Sequence, residues 1–300
     1  MSSDSDNSFV VGIGEALWDI LPDGKKVGGA PANFAYHVSQ FGIKSCVASA
    51  VGNDELGIEL LNKFHERNLN TLIPSVDYPT GTVMVQVDEC GIPTYDISRN
   101  VAWDNIPFTD ALENLARHTR AVCFGSLAQR NAVSRHSIYR FLESMPQHRG
   151  TYKIFDINLR QDFHTQEILI ESMNRCNILK INDEELIQVN NLLGYPDRGQ
   201  QDSCVALLQK FNLDILILTC GVNGSYVFIP DSVSFIDTPK VQVADTVGAG
   251  DSFTAAFVSG LLKGMSVADA HLLAVEVSAF VCSQAGAMPI LSDRFTQRVK

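Results

Sequence analysis

Six short runs rich in β-branched residues punctuate the chain: FVVGIG (9–14), SCVASAVG (45–52), AVCFG (121–125), YKIFDIN (152–158), NILKIN (177–182) and DILILTC (214–220). Each is followed by a stretch with helical spacing of apolar positions, and alternation of this kind predicts an α/β fold, a parallel sheet covered by helices. In such folds ligands bind beyond the carboxyl ends of the strands. Two regions break the alternation, about 16–28 and 79–105. They predict strands and hairpins with no helix between them, such as a pair of antiparallel edge strands. A late apolar stretch, SFTAAFVSGLL (252–262), predicts a helix. There is no internal repeat, low-complexity tract or long linker.

Composition narrows the class of function. Three hundred residues at 45% hydrophobic content are ample for a large core. A formal net charge of −11 argues against nucleic acid and anionic membrane as partners, because both reward a basic surface. No apolar run approaches the roughly 18 residues of a membrane span. The polar, acidic start MSSDSDNS lacks the regions of a signal peptide, so a cytoplasmic location is expected. The seven cysteines (46, 90, 123, 176, 204, 220, 282) are scattered without a C-x-x-C pair and read as reduced thiols. The seven histidines lack metal-site spacing.

The segment Asp245 to Ala255, DTVGAGDSFTA, carries the most chemistry. Gly248, Ala249 and Gly250 lead into Asp251 at the start of the predicted helix. Unpaired N–H groups of a helix start form a ready anion site, and small residues let a phosphate approach closely. A carboxylate beside a phosphate site is repelled by it, so Asp251 is better explained as a base acting on a hydroxyl that attacks the phosphate. The alternative is a Gly-rich turn with Asp251 as a helix cap. Upstream, Gly28-Gly29-Ala30-Pro31-Ala32-Asn33-Phe34-Ala35 is followed by Gly42, Gly52, Asp54 and Gly57. In FDINLR, the alternate residues Asp156, Asn158 and Arg160 share one face if the segment is extended. Asn182 and Glu185 share a helix face three residues apart, and the same letters spell a capping box. Gly12-x-Gly14 lacks a third glycine at Leu17, so the dinucleotide fingerprint fails, and no P-loop motif occurs.

Together the two glycine-rich segments resemble the paired signatures of the PfkB (ribokinase-like) family of carbohydrate kinases, from about Phe9 to about Pro289. Within that family the chain is most similar to bacterial fructokinases, through Gly14-Glu15 with Trp18-Asp19, the run GGAPANFAYH, and Asp156-x-Asn158-x-Arg160. The resemblance implies one three-layer parallel-sheet domain over 1–300 with a small β-strand lid, which often also forms a homodimer interface. It implies an ATP-dependent sugar kinase, first a fructokinase, with Asp251 as base and the amides of Gly248, Ala249, Gly250 and Asp251 on the transferring phosphoryl group. Asp19, Gly28, Gly29, Asn33 and Arg160 would hold the sugar, with Trp18 and Trp103 shaping the pocket. Asn182, Glu185, Thr219, Gly221, Gly224 and Gly250 would meet the nucleotide, Glu185 lying near Mg²⁺ through water. Asp245, Val247 and Gly286 would hold a monovalent cation, K⁺, although Val247 replaces the commoner threonine. A 2-keto-3-deoxygluconate kinase, a ribokinase-type kinase and a catalytically silent sugar sensor are the alternatives.

Overall fold

The computed structural model describes residues 8–22, 24–87, 93–195 and 198–299. Its strands, in chain order, are β1 (Phe9–Ile13), β2 (Leu17–Leu21), β3 (Gly24–Gly28), β4 (Ser45–Ala48), β5 (Val51–Gly52), β6 (Asn70–Leu72), β7 (Ser75–Val76), β8 (Gly81–Val87), β9 (Pro93–Ile97), β10 (Thr119–Phe124), β11 (Tyr152–Asp156), β12 (Ile178–Asn182), β13 (Ile215–Thr219), β14 (Ser225–Ile229) and β15 (Ser232–Ile236). The helices are α1 (Ala30–Gln40), α2 (Glu55–Glu66), α3 (Asp110–Arg117), α4 (Ala132–Ser144), α5 (Gln166–Met173), α6 (Asp183–Leu193), α7 (Gln200–Lys210), α8 (Ala249–Leu262), α9 (Val267–Cys282) and α10 (Asp293–Thr296).

Nine strands form the main sheet in the order β15-β14-β13-β12-β11-β10-β1-β4-β6, parallel from β6 to β13. Both of its faces are covered, which is why its strands read as near-continuous apolar runs. Val10, Ala121, Cys123, Ile154 and Ile178 pack with α1, α8 and α9. Their neighbours Val11, Val122, Phe124, Phe155 and Leu179 pack on the opposite side with α3 to α7. This two-sided alternation makes three layers and directs the carboxyl ends of the strands to one edge.

Two sequence expectations need correction. DILILTC is followed not by a helix but by the antiparallel strands β14 and β15. Gly221 (φ 54) and Gly224 (φ 93) take left-handed conformations that turn the chain back. SCVASAVG is split, because β4 joins the main sheet while β5 pairs with β7 in a separate two-stranded ribbon.

The irregular regions form a second sheet, β3-β2-β8-β9, as the hairpin pattern predicted. Its antiparallel pairs are joined through a parallel β2–β8 contact. Residues 88–92, within this region and including Cys90, fall outside the described residues, as does the acidic start 1–7. The small sheet is tied to the body through Thr80, whose amide and hydroxyl donate to the two carboxylate oxygens of Asp54, the cap of α2. Thr80 Oγ1 also accepts from the amide of Gly52 at 2.9 Å. Gly52, Asp54 and Gly57 thus help anchor the sheet. The other six cysteines are free thiols, and among the described residues no helix is long and apolar enough to cross a membrane.

Candidate active site

The loops at the carboxyl edge of the main sheet bring the N-terminal turns of α1 and α8 face to face. Asn33, in the first turn of α1, donates from Nδ2 to Asp251 Oδ2 at 2.7 Å. Neither helix start has a side-chain cap, since the cap residues are Gly29 and Gly248. Asp251 is therefore not a cap, and that reading of the motif is overturned. Gly248 is required twice over: its φ is 79°, and a Cβ there would meet Ala287 at 2.7 Å. The Asp251 carboxyl is pushed up to about 6, first by burial and next by the negative charge of Asp156. The Asn33 amide, Lys180 and Arg160 act against the rise.

Beside it lie the amides expected to meet a phosphoryl group. The Ala249 N–H turns back onto the carbonyl of Thr246 at 3.3 Å, and the Ser252 N–H bonds Gly248 O at 2.9 Å. Among the described residues the amides of Gly250 and Asp251 find no carbonyl, so the open donors centre on these two.

Asp19 projects from β2 on the opposite face from Trp18. A Cβ on Gly28 would strike the Asp19 carboxylate, and one on Gly29 (φ 115) would strike the Glu15 carbonyl, so the paired glycines admit this close approach. Burial pushes the Asp19 carboxyl up to about 6 against the opposing charges of Lys26 and Arg160. Lys26 is the cross-strand partner of Asp19 and shares its face. The side-chain oxygen of Asn33, Oδ1, is sealed from solvent without a hydrogen-bond partner.

Trp18 and Trp103 do not line this cleft. Trp18, 2% exposed, packs on α2 and donates to Leu56 O at 2.9 Å. Trp103, 1% exposed, lies in a 3₁₀ turn (Ala102–Asn105) under the Arg130 guanidinium. The pattern 156/158/160 is also broken. The strand ends at Asp156, and Asn158 (φ 47) and Gln161 (φ 47) are left-handed, so the segment is not extended. Arg160 is exposed with its guanidinium donating to the adjacent Leu159 O, yet its charge reaches Glu15, Asp19 and Asp251.

Asp156 faces the core instead, where it meets a partner the sequence reading missed. Lys180 Nζ bonds Asp156 Oδ1 at 2.9 Å and Oδ2 at 2.8 Å, and Thr254 Oγ1 donates to Oδ2 at 3.2 Å. A Cβ on Gly250 would lie 3.1 Å from Lys180 Nζ, so the ammonium fills the space beneath the open amides. Burial works to lower the Lys180 pKa, but the carboxylates of Asp156, then Glu185 and Asp251, together outweigh it and the net shift is upward.

Asn182 and Glu185 form the capping box of α6: Asn182 Oδ1 accepts from the Glu185 amide at 2.8 Å, and Glu185 Oε2 from the Asn182 amide at 3.0 Å. Glu185 Oε1 also accepts from the Leu159 amide at 2.8 Å. Both carboxylate oxygens are thus engaged by the backbone, which suits contact with Mg²⁺ through water rather than direct ligation. Thr219, Gly221 and Gly224 stand together at the β13–β14 turn, on the same edge of the sheet as Asn182, the cross-strand partner of Thr219. Asp245 joins two loops, accepting from the Val247 amide at 3.0 Å and the Gly286 amide at 3.2 Å. The carbonyls of Val247 and Gly286 accept no hydrogen bond among the described residues, a donor set that fits a hard monovalent cation. Among the described residues no group of three or more His, Cys, Asp or Glu is placed to hold a metal ion by side chains.

A buried acid with polar side chains on one side and open helix amides on the other is the arrangement of a phosphotransferase acting on an alcohol. The profile of the pfkB family carbohydrate kinases matches residues 23–294, and the chain belongs to that family. It has the ribokinase-like fold and is an ATP-dependent sugar kinase. A sugar kinase of Pyrococcus horikoshii is 30% identical over 275 residues, 85% of this chain and 83% of that one. Its structure in complex with ATP superimposes with a TM-score of 0.82 at 27% identity, covering 97% of this chain and all of the other (100%). An ATP-dependent 6-phosphofructokinase of Thermoanaerobacterium thermosaccharolyticum is 28% identical, covering 95% and 91% of the two chains. A fructokinase of Escherichia coli is 26% identical, covering 94% and 95%.

Proposed function

We propose that the chain is a fructokinase that transfers the γ-phosphoryl group of ATP to D-fructose, giving fructose 6-phosphate and ADP. The observation that carries the reading is Asp251, held by Asn33 on the sugar side and flanked by open amides on the phosphate side. Asp251 takes the proton of the attacking hydroxyl as its oxygen bonds to phosphorus and the bond to ADP breaks. The amides of Gly250 and Asp251 hold the charge on the transferring group, with Gly248 keeping the turn open. Asp19, Gly28, Gly29, Asn33 and Arg160 hold the sugar. Asn182, Glu185, Thr219, Gly221 and Gly224 border the nucleotide. Bound Mg²⁺ would neutralise phosphate oxygens. ADP release measured over fructose, ribose, 2-keto-3-deoxygluconate, adenosine and fructose 6-phosphate tests the reading, with the highest kcat/KM expected for fructose.

One observation favours a second reading, an acceptor that carries an acidic group. Lys26 and Arg160 flank Asp19, and neither forms an ion pair within 4.0 Å among the described residues. If fructose 6-phosphate or the keto-acid sugar gives the highest kcat/KM, fructose is displaced while the reaction type stands.

Asp245 with the carbonyls of Val247 and Gly286 is proposed to hold K⁺, which would order the turn leading to Gly248. Replacing K⁺ by tetramethylammonium at constant ionic strength should lower kcat roughly tenfold or more, since the affected amides act mainly in the transition state. An unchanged kcat would remove the cation from the mechanism.

A further inference from the structure

A second acid lies in the same cleft without an assigned role. Glu15 follows Gly14 (φ 147), just after β1 ends, and its own carbonyl is packed against Gly29. The residue is 3% exposed, and Oε1 has neither solvent nor a hydrogen-bond partner. Glu15 forms no ion pair with any described residue. Burial raises its pKa; the amides of Glu15 itself and Ala128 and the charge of Arg160 act against this, whereas Asp251 adds to it. A buried carboxyl with an unpaired oxygen costs stability, and a fold needing only to fill this space would be better served by an apolar residue.

Glu15 Oε1 is not alone. Asn33 Oδ1 is likewise buried and unpartnered, on a side chain bonded directly to Asp251. Two unpaired acceptors beside one base fit a ligand that supplies several O–H donors, which is the chemistry of a polyol. The hydroxyl that loses its proton to Asp251 is already accounted for, so Glu15 is left for another.

We propose that Glu15 is a specificity-determining residue of the sugar site, accepting a hydrogen bond from a hydroxyl other than the one phosphorylated. The inference rests on the sugar-kinase reading above. A site built to bond a hydroxyl rejects the analogue that lacks it, because the buried group is then left unpaired.

Glu15→Ala and Glu15→Gln are compared with wild type on the best sugar of the panel and on its series of monodeoxy analogues. For Glu15→Ala, KM should rise on the order of 10–100-fold, the worth of a hydrogen bond to a charged group, with most of the loss in KM rather than kcat. One deoxy analogue, poor with wild type, should be used by this variant as well as its parent sugar. The Tm of Glu15→Gln should not fall, because the amide removes a buried carboxylate. If Glu15→Ala does not fold, Glu15→Leu, which fills a similar volume and accepts no hydrogen bond, carries the same comparison, whereas Glu15→Gln still offers an oxygen and should keep most of the discrimination. Unchanged discrimination among the deoxy sugars, or a lower Tm with unaltered KM, overturns the inference and leaves the kinase reading intact. Wild-type enzyme that releases ADP with no sugar overturns both.

Discussion

Asp251→Asn lowers kcat by about 10²–10⁴, the usual worth of a positioned general base, while sugar and ATP bind nearly as before. The amide fills the same volume and still offers an oxygen to Asn33 Nδ2, so the cleft keeps its shape. Only the capacity to take a proton is lost. In the wild type that capacity depends on pH, because a carboxyl held near 6 is protonated below that value. The kcat of the wild-type enzyme should therefore fall as pH drops through about 6, and the residual rate of the variant should lack that step. Stability runs the other way. A carboxyl whose folded pKa lies above the ordinary 3.8 favours folding below 3.8 and loses that contribution as pH rises through about 6. At pH 8 the asparagine variant should melt above wild type, with the gap closing toward pH 4. A near-normal kcat in the purified variant would remove Asp251 as the base.

Lys180→Met should cost about 3–5 kcal/mol of unfolding free energy, the range for removing one partner of a buried ion pair. The substitution leaves the Asp156 carboxylate with a single 3.2 Å hydrogen bond from Thr254, in surroundings where both partners are almost fully enclosed. The double variant Asp156→Leu with Lys180→Met should recover most of the loss, since what destabilises is the unpaired charge rather than the missing bond. Urea unfolding of the four proteins at neutral pH gives the cycle. A loss under about 1 kcal/mol in the single variant would class the pair with surface ion pairs and contradict its enclosure.

How far these features could be read from the chain depends on where each residue's partner lies. The strands were legible because a two-sided parallel sheet demands apolar residues on both faces, and the runs from FVVGIG to NILKIN meet that demand. The helix start at Gly248 was legible because glycine before an apolar helix has a conformational reason. Lys180 was passed over, although a lysine inside an otherwise apolar strand requires a counter-charge nearby. That counter-charge is Asp156, its cross-strand neighbour in the register of β11 and β12. Pairing the runs NILKIN and YKIFDIN would have suggested it, and would also have withdrawn Asp156 from the sugar face. The tryptophans misled in the opposite sense. Trp18 and Asp19 are adjacent in sequence, and adjacent residues of a strand face opposite ways, so Asp19 in the cleft places Trp18 in the core. Asn158 and Gln161 could not be anticipated, because their left-handed backbone follows from the loop's tertiary setting.

The bond between Asn33 and Asp251 spans 218 positions of the chain. Strand pairs such as β10–β11 and β12–β13 can form from nearby segments, but this contact has to wait until both ends of the polypeptide are in place. During synthesis Asp19 and Asn33, proposed to bind the sugar, emerge long before Asp251, the proposed base, so much of the sheet can assemble before the two meet. Catalytic competence is thus a late event in the folding of the chain, and regain of activity after denaturation reports the last long-range closure rather than the growth of secondary structure.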